Sequence, residues 1–223
     1  DWLGTHRTNL TGAIAVFDAA RRAKAGGALP VVYASSAAVY GDSDTLPLGE
    51  SSPTRPLSAY GADKLGCELH ARVATRVLGG FSAGCRGGYV YGPRQDPASP
   101  YSGVISIFFD RLGRGQPVTI FGDGGQTRDL IYVADIVAAL LRAMDRPLPD
   151  SPVFNICTGR STSILQLAEA VARAQGATLE TRFAAARQGD IRASLGDPAH
   201  AAQFLGFHAG TALADGLRRM TAG

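Results

Sequence analysis

A chain of 223 residues, 45% hydrophobic and 18% charged, is long enough for one sizeable core or one core with an appended lobe, and its composition is that of a globular protein. A net charge of +3 with no Lys/Arg run argues against nucleic acid and suits an anionic small molecule. Three widely spaced cysteines, Cys67, Cys85 and Cys157, point to neither a disulfide framework nor a zinc site and are expected to be reduced core thiols of a cytoplasmic protein; no apolar stretch reaches membrane-spanning length, and the start does not read as a signal peptide.

Taken in chain order, Leu10, Ile14, Phe17 and Ala20 recur on one face of a helix predicted over 9–24 and ended by Gly26-Gly27. Residues 29–34 (LPVVYA) form a short continuous apolar run, expected to be a strand buried on both faces and therefore parallel. A polar loop fills 35–56, and a long helical pattern over 57–78 closes at Gly79-Gly80. A strand is expected over 81–90, weakened by Gly84, Gly87 and Gly88. Beyond a Pro-rich loop, 91–102, come a helix over 104–114, a strand at 118–121, a turn at 122–126, a strand at 130–133 and a helix over 134–144. A strand at 153–156, a helix at 164–175, a strand at 179–183 and short helices at 198–205 and 212–220 complete the pattern.

Alternating strands and helices predict an α/β fold with a mainly parallel sheet. The alternation loosens after Tyr91, as expected of a smaller carboxyl-terminal substrate lobe.

The strongest chemical signal is Tyr60-Gly-Ala-Asp-Lys64 following the strand end Ala34-Ser35-Ser36. Residues at i and i+4 share a helix face, so Tyr60 and Lys64 meet. A neighbouring ammonium favours a phenolate, and a phenol, titrating near ~10 when unperturbed, needs that help to act as a base near neutrality. Ser36 leaves the carboxyl end of a parallel strand, where ligands of open α/β sheets bind. The three make a proton-transfer site at an alcohol carbon.

Six ordered stretches, VVYASSAAVYG (31–41), YGADK (60–64), YGPRQDPASPYSGVISIF (91–108), TIFGDGGQTRDLIYVADI (119–136), FNICTG (154–159) and RQGDI (187–191), resemble the UDP-glucose 4-epimerase branch of the extended short-chain dehydrogenase/reductases over nearly the whole chain. The resemblance implies a partial Rossmann-type doubly wound parallel sheet, with residues 1–92 the remainder of a dinucleotide-binding domain and 93–223 mainly a substrate-binding lobe, about 129–158 returning to the first domain. It implies an NAD-dependent C4 epimerase of a UDP-hexose, in which Tyr60 is the base, Lys64 holds the nicotinamide ribose and Ser36 bonds the sugar O4. It implies cofactor contacts from Asn9, Ser35, Tyr60 and Lys64, with Asn9 alternatively a plain helix cap. Arg128 and Arg187 would clamp the diphosphate, since guanidinium forks suit phosphate oxygens. Asp190 would reach the uridine ribose, Ile120 and Phe121 would wall the uracil, and Val104 would pack nearby. Ser194 falls where some members carry Tyr, so room for an N-acetylated sugar is expected. No metal, membrane or nucleic acid is implied, and a homodimer is.

Two departures stand out. The family's phosphate-contacting Asn falls on Tyr89, in Arg86-Gly-Gly-Tyr-Val-Tyr-Gly92. No Gly-x-x-Gly-x-x-Gly run occurs in the 223 residues, and Gly122-Asp-Gly-Gly125 reads as a turn. With no Met at the start, the chain is expected to lack an amino-terminal cofactor-binding segment and to be a fragment or a non-catalytic remnant unless completed. Related dehydratases carry Asp-Glu and decarboxylases Glu after the residue matching Ser36. Ala37 and Ala38 stand there, which favours epimerisation over a dehydratase, decarboxylase or uronate-epimerase reading.

Overall fold

The structure, a computed structural model, describes residues 1–23, 29–98, 103–145, 149–187 and 189–221. The expected helix end at Lys24–Gly27 lies outside them, as do Pro100 and Ser102 of the Pro-rich loop. Helical structure starts before the predicted Asn9: α1 (Trp2–His6) runs through a π-helical turn at Arg7–Thr11 into α2 (Gly12–Arg22). Apolar spacing could not reveal α1, because it buries nothing; Trp2 and Leu3 are exposed.

Strand β1 (Pro30–Ser36) pairs in parallel with β2 (Phe81–Gly87), which pairs in parallel with β6 (Val153–Ile156). Along this sheet, ordered β1-β2-β6, Ser35 lies opposite Arg86 and Ser36 opposite Gly87. β1 is half-buried rather than covered on both faces. It is the outer strand of the described sheet. Helix α3 (Ala59–Arg76) is nucleated by Ser58, whose hydroxyl accepts from the Gly61 amide at 3.0 Å.

The strand expected over 81–90 is two strands in two sheets. β3 (Tyr89–Tyr91) leaves β2 at Gly88 and pairs in parallel with β5 (Thr127–Tyr132), which pairs antiparallel with β7 (Ser161–Ser163). A side chain at 88 would begin 3.0 Å from the Asp129 carbonyl, so glycine is what lets the chain change sheets against β5. β4 (Val118–Phe121) pairs in parallel with β8 (Thr181–Ala184).

Two apolar cores result. Helices α4 (Val104–Gly113), α6 (Ile164–Gln175) and α8 (Leu213–Thr221) enclose Phe108, Val118, Ile120, Leu167, Val171 and Leu217. Full burial of such a side chain contributes about 1.5–3 kcal/mol. Helices α5 (Val133–Met144) and α7 (Ala199–Leu205) cover Ala83, Cys85, Phe154 and Ile156 beneath the β1-β2-β6 sheet. α6 is bounded by a capping box of Ser163 and Gln166 and by left-handed Gly176. The architecture is α/β with mainly parallel pairing. Among the described residues no helix is long and apolar enough to cross a membrane, and no cluster of His, Cys, Asp and Glu could hold a metal ion.

Candidate active site

Where β1 ends, the chain turns through a single 3-10 turn, Ala37–Val39, whose start is capped by Ser36: its hydroxyl oxygen accepts from the Ala38 amide at 3.2 Å. This turn and the first turn of α3 form one wall of a cavity of about 610 Å³. Asn9, Ser36, Tyr60, Tyr89, Val104 and Ser194, drawn from six parts of the sequence, all line it, as do Ala37 and Ala38. A cavity of that size accommodates a molecule of the sugar-nucleotide class.

Tyr60 lies in the first turn of α3 and stays 37% exposed, its ring fronting the cavity. Lys64, one turn on, places Nζ 5.6 Å from the ring centre and donates to the Ala34 carbonyl at 2.9 Å. Lys64 itself does not line the cavity; it stands behind Tyr60. Asn9 is no helix cap. It sits inside the π-helical turn, and its amide donates to the Thr5 carbonyl at 3.0 Å while the residue lines the cavity.

Tyr89 forms the far wall. Burial pushes its phenol above the ordinary range, opposed by the Arg128 guanidinium 5.1 Å from its ring. Arg128 is buried and donates to Asp190 at 2.5 Å and to the Thr127 carbonyl at 2.8 Å. Asp190 is followed by Ile191, which lines the cavity, so this ion pair stands just behind the pocket wall. Arg187 lies on the surface with its guanidinium 3.9 Å from the Phe121 ring centre. The structure thus joins Arg128 with Asp190 and Arg187 with Phe121 without bringing either pair into the cavity lining.

Two expected contacts are corrected. Ser35 does not face a cofactor: it is buried, and its hydroxyl donates to Glu68 at 2.5 Å, because alternation along β1 turns 35 and 36 to opposite faces. Ile120 is no uracil wall. Alternation along β4 buries Val118 and Ile120 completely in the core and turns Thr119 and Phe121 to the partly exposed face.

Residue-by-residue reading missed several groups. Gln95 lines the cavity with its carbonyl oxygen buried and without a partner. Beneath the site, Glu68 and Arg86 form a buried pair, at 2.6 Å between Arg86 NH2 and Oε2. Burial, the largest influence on Arg86, opposes its charge, but hydrogen bonds and charge from Glu68 and Tyr40 outweigh it and hold the guanidinium protonated. Asp129 is fully used in closing the loop after β6, accepting from the Thr158 and Gly159 amides at 2.9 Å. A signal for Glu68 existed: it lies four residues beyond Lys64, on the same helix face.

With that geometry in view, comparisons with known proteins are informative. Residues 2–157 match the family model of the NAD dependent epimerase/dehydratase family. A UDP-glucose 4-epimerase of Mycolicibacterium smegmatis is 37% identical over 212 residues, which is 95% of this chain and 66% of that protein. The chain therefore spans slightly less than two thirds of that relative's length. Among solved structures, a UDP-glucose 4-epimerase of Thermotoga maritima with UDP-glucose superposes with a TM-score of 0.90 at 34% identity, covering 97% of this chain and 69% of the other. A Thermus thermophilus UDP-glucose 4-epimerase in complex with NAD gives 0.86 at 32% identity, covering 96% and 68%. The shared fold, the ordered motifs and the cavity at the end of β1 agree with the family match: the chain belongs to the NAD dependent epimerase/dehydratase family.

Proposed function

We propose that this chain carries the substrate-converting machinery of an NAD-dependent nucleotide-sugar epimerase that inverts C4 of a UDP-hexose. The observation that carries the reading is the convergence of Ser36, Tyr60 and the paired methyl groups of Ala37 and Ala38 on one cavity. The donor set fits the nicotinamide end of NAD: Lys64 has spent one of its three N–H donors, on Ala34, leaving two for ribose hydroxyls beside Tyr60. Asn9 lines the same side. NAD, when bound, supplies the acceptor and return donor for the C4 hydride. Tyr60 takes the C4 hydroxyl proton, Lys64 stands one helical turn along from it, and Ser36, whose own O–H remains free to donate, orients O4. Arg187 and Asp190 hold the nucleotide diphosphate and ribose, with Phe121 against the base, and buried Arg128 supports the clamp by fixing Asp190. Residues 1–92 with about 129–158 would serve the cofactor side and most of 93–223 the substrate side. The exposed apolar side chains Val16 on α2 and Leu69 and Val73 on α3 support a homodimer.

Elimination of water would need an acid and a base beside Ser36, and methyl groups exchange no protons. This favours epimerisation over dehydration or decarboxylation. The native full-length protein incubated with UDP-glucose and followed by proton NMR should give UDP-galactose in equilibrium with the starting sugar. Accumulation of a 4-keto-6-deoxy sugar or of a pentose would overturn the assignment.

A further inference from the structure

The residues proposed to do chemistry occupy two elements, β1 with its following turn and α3, and the reaction depends on how these two sit against each other. Three consecutive residues of β1 meet α3 in three ways. Ala34 accepts from Lys64 at its carbonyl, Ser35 donates its hydroxyl to Glu68, and Ser36 fronts the cavity with Tyr60. Tyr60, Lys64 and Glu68 are spaced four residues apart, so they form one stripe along the helix.

Glu68 has every reason to be rigid. Oε1 accepts from Ser35 Oγ at 2.5 Å and from Arg86 Nε at 2.8 Å, and Oε2 accepts from Arg86 NH2 at 2.6 Å. Arg86 stands opposite Ser35 on the neighbouring strand. Its remaining nitrogen donates to Tyr40 Oη at 2.8 Å and to the Glu50 carbonyl at 3.1 Å, and Tyr40 donates in turn to Asn155 of β6 at 2.7 Å. One carboxylate therefore ties α3 to β1 and β2 at once, and through Arg86 and Tyr40 to the loop after β1 and to β6. Apolar contact would hold helix on sheet equally well, but it tolerates sliding; directional bonds to a buried charge do not.

We infer that Glu68, acting through Ser35 and Arg86, is a positioning residue that fixes the distance and angle between Ser36 and the Tyr60–Lys64 pair. Sliding or rotation of α3 along β1 that parts Tyr60 from Ser36 must first break the Glu68–Ser35 bond and leave a buried carboxylate short of a donor. The inference rests on the epimerase reading for its catalytic consequence, but not for its effect on Tyr60.

The test compares Ser35→Ala and Glu68→Gln with the parent in the native full-length protein, at a temperature where circular dichroism shows each one folded. Two readouts are taken: kcat and KM for C4 epimerisation with NAD present, and the Tyr60 ring signal by 13C NMR in protein labelled at tyrosine Cζ, assigned with Tyr60→Phe. Both variants should lose kcat about tenfold or more with KM within about twofold, the scale of a misplaced reacting group, and should move the Tyr60 signal. Folded variants with unchanged kcat and an unchanged Tyr60 signal, only melting earlier, overturn the inference. Should Glu68→Gln fail to fold, Ser35→Ala, which removes one hydroxyl, decides alone. A parent without epimerase activity whose Tyr60 signal still responds to Ser35→Ala refutes the activity and upholds the positioning.

Discussion

Lys64 stands 5.6 Å from the centre of the Tyr60 ring, one helical turn along α3, and is tied back to β1 through the Ala34 carbonyl. Replacing Tyr60 by Phe removes the proton acceptor and keeps the ring. Turnover of UDP-glucose should fall at least ~100-fold with KM changed little. Steady-state kinetics on folded protein decide it; a variant with near-normal kcat removes Tyr60 from the mechanism.

Arg187 is exposed and stacked on Phe121, so its loss leaves the core untouched. Arg187→Ala should raise KM for UDP-sugars about tenfold or more, the scale of a lost charge-assisted hydrogen bond, with kcat within about threefold. An unchanged KM would show that the diphosphate is held elsewhere.

Ser194 lines the cavity opposite the β1 turn and is nearly buried. A small side chain there leaves volume beside the sugar, so UDP-N-acetylhexosamines should be accepted together with UDP-hexoses. Ser194→Tyr should abolish turnover of the N-acetylated substrates and spare the others. Equal loss of both would point to a general disturbance of the pocket.

The three cysteines are buried. Burial pushes the Cys85 thiol up to about 12 and raises Cys67 and Cys157 too. Since the thiolate is the reactive form, a maleimide or disulfide reagent at pH 8 should label none of them in the folded protein and all three after denaturation, as mass spectrometry would count. Rapid labelling of native Cys67 would show that α3 opens away from Asn9, whose carbonyl the Cys67 thiol contacts at 3.3 Å.

Sequence periodicity located the elements whose burial is one-sided or complete, such as β4 and α6, to the residue. It failed where physics other than burial sets the structure. α1 covers nothing, and the β2–β3 break is dictated by the approach of the Asp129 carbonyl to Gly88, a contact between positions far apart in the chain. β7 is three polar residues held by pairing with β5. At the site, Ser36 and Tyr60 stood out in the sequence because motif order names them, whereas Asn9 lay outside every motif. The fates of Ser35 and Ile120 depended on strand phase, a one-residue matter that a motif does not fix. Glu68 and Arg86 escaped notice because a buried ion pair joins residues that, read singly, look like ordinary surface charges.

Ser35 and Ser36 are the same molecule twice, side by side, and nothing in their chemistry tells one from the other. Only address distinguishes them: the pairing of β1 with β2 puts Ser35 across from Arg86 and Ser36 across from Gly87. A slip of one residue would exchange their faces. Such a chain would keep its composition and most of its apolar contacts, yet offer the wrong hydroxyl to the cavity. It would also strand the Glu68–Arg86 pair without its serine partner, in a place where unmet charge is costly. The polar knot under the site therefore sets a cost on the misregistered chain that apolar packing alone would not.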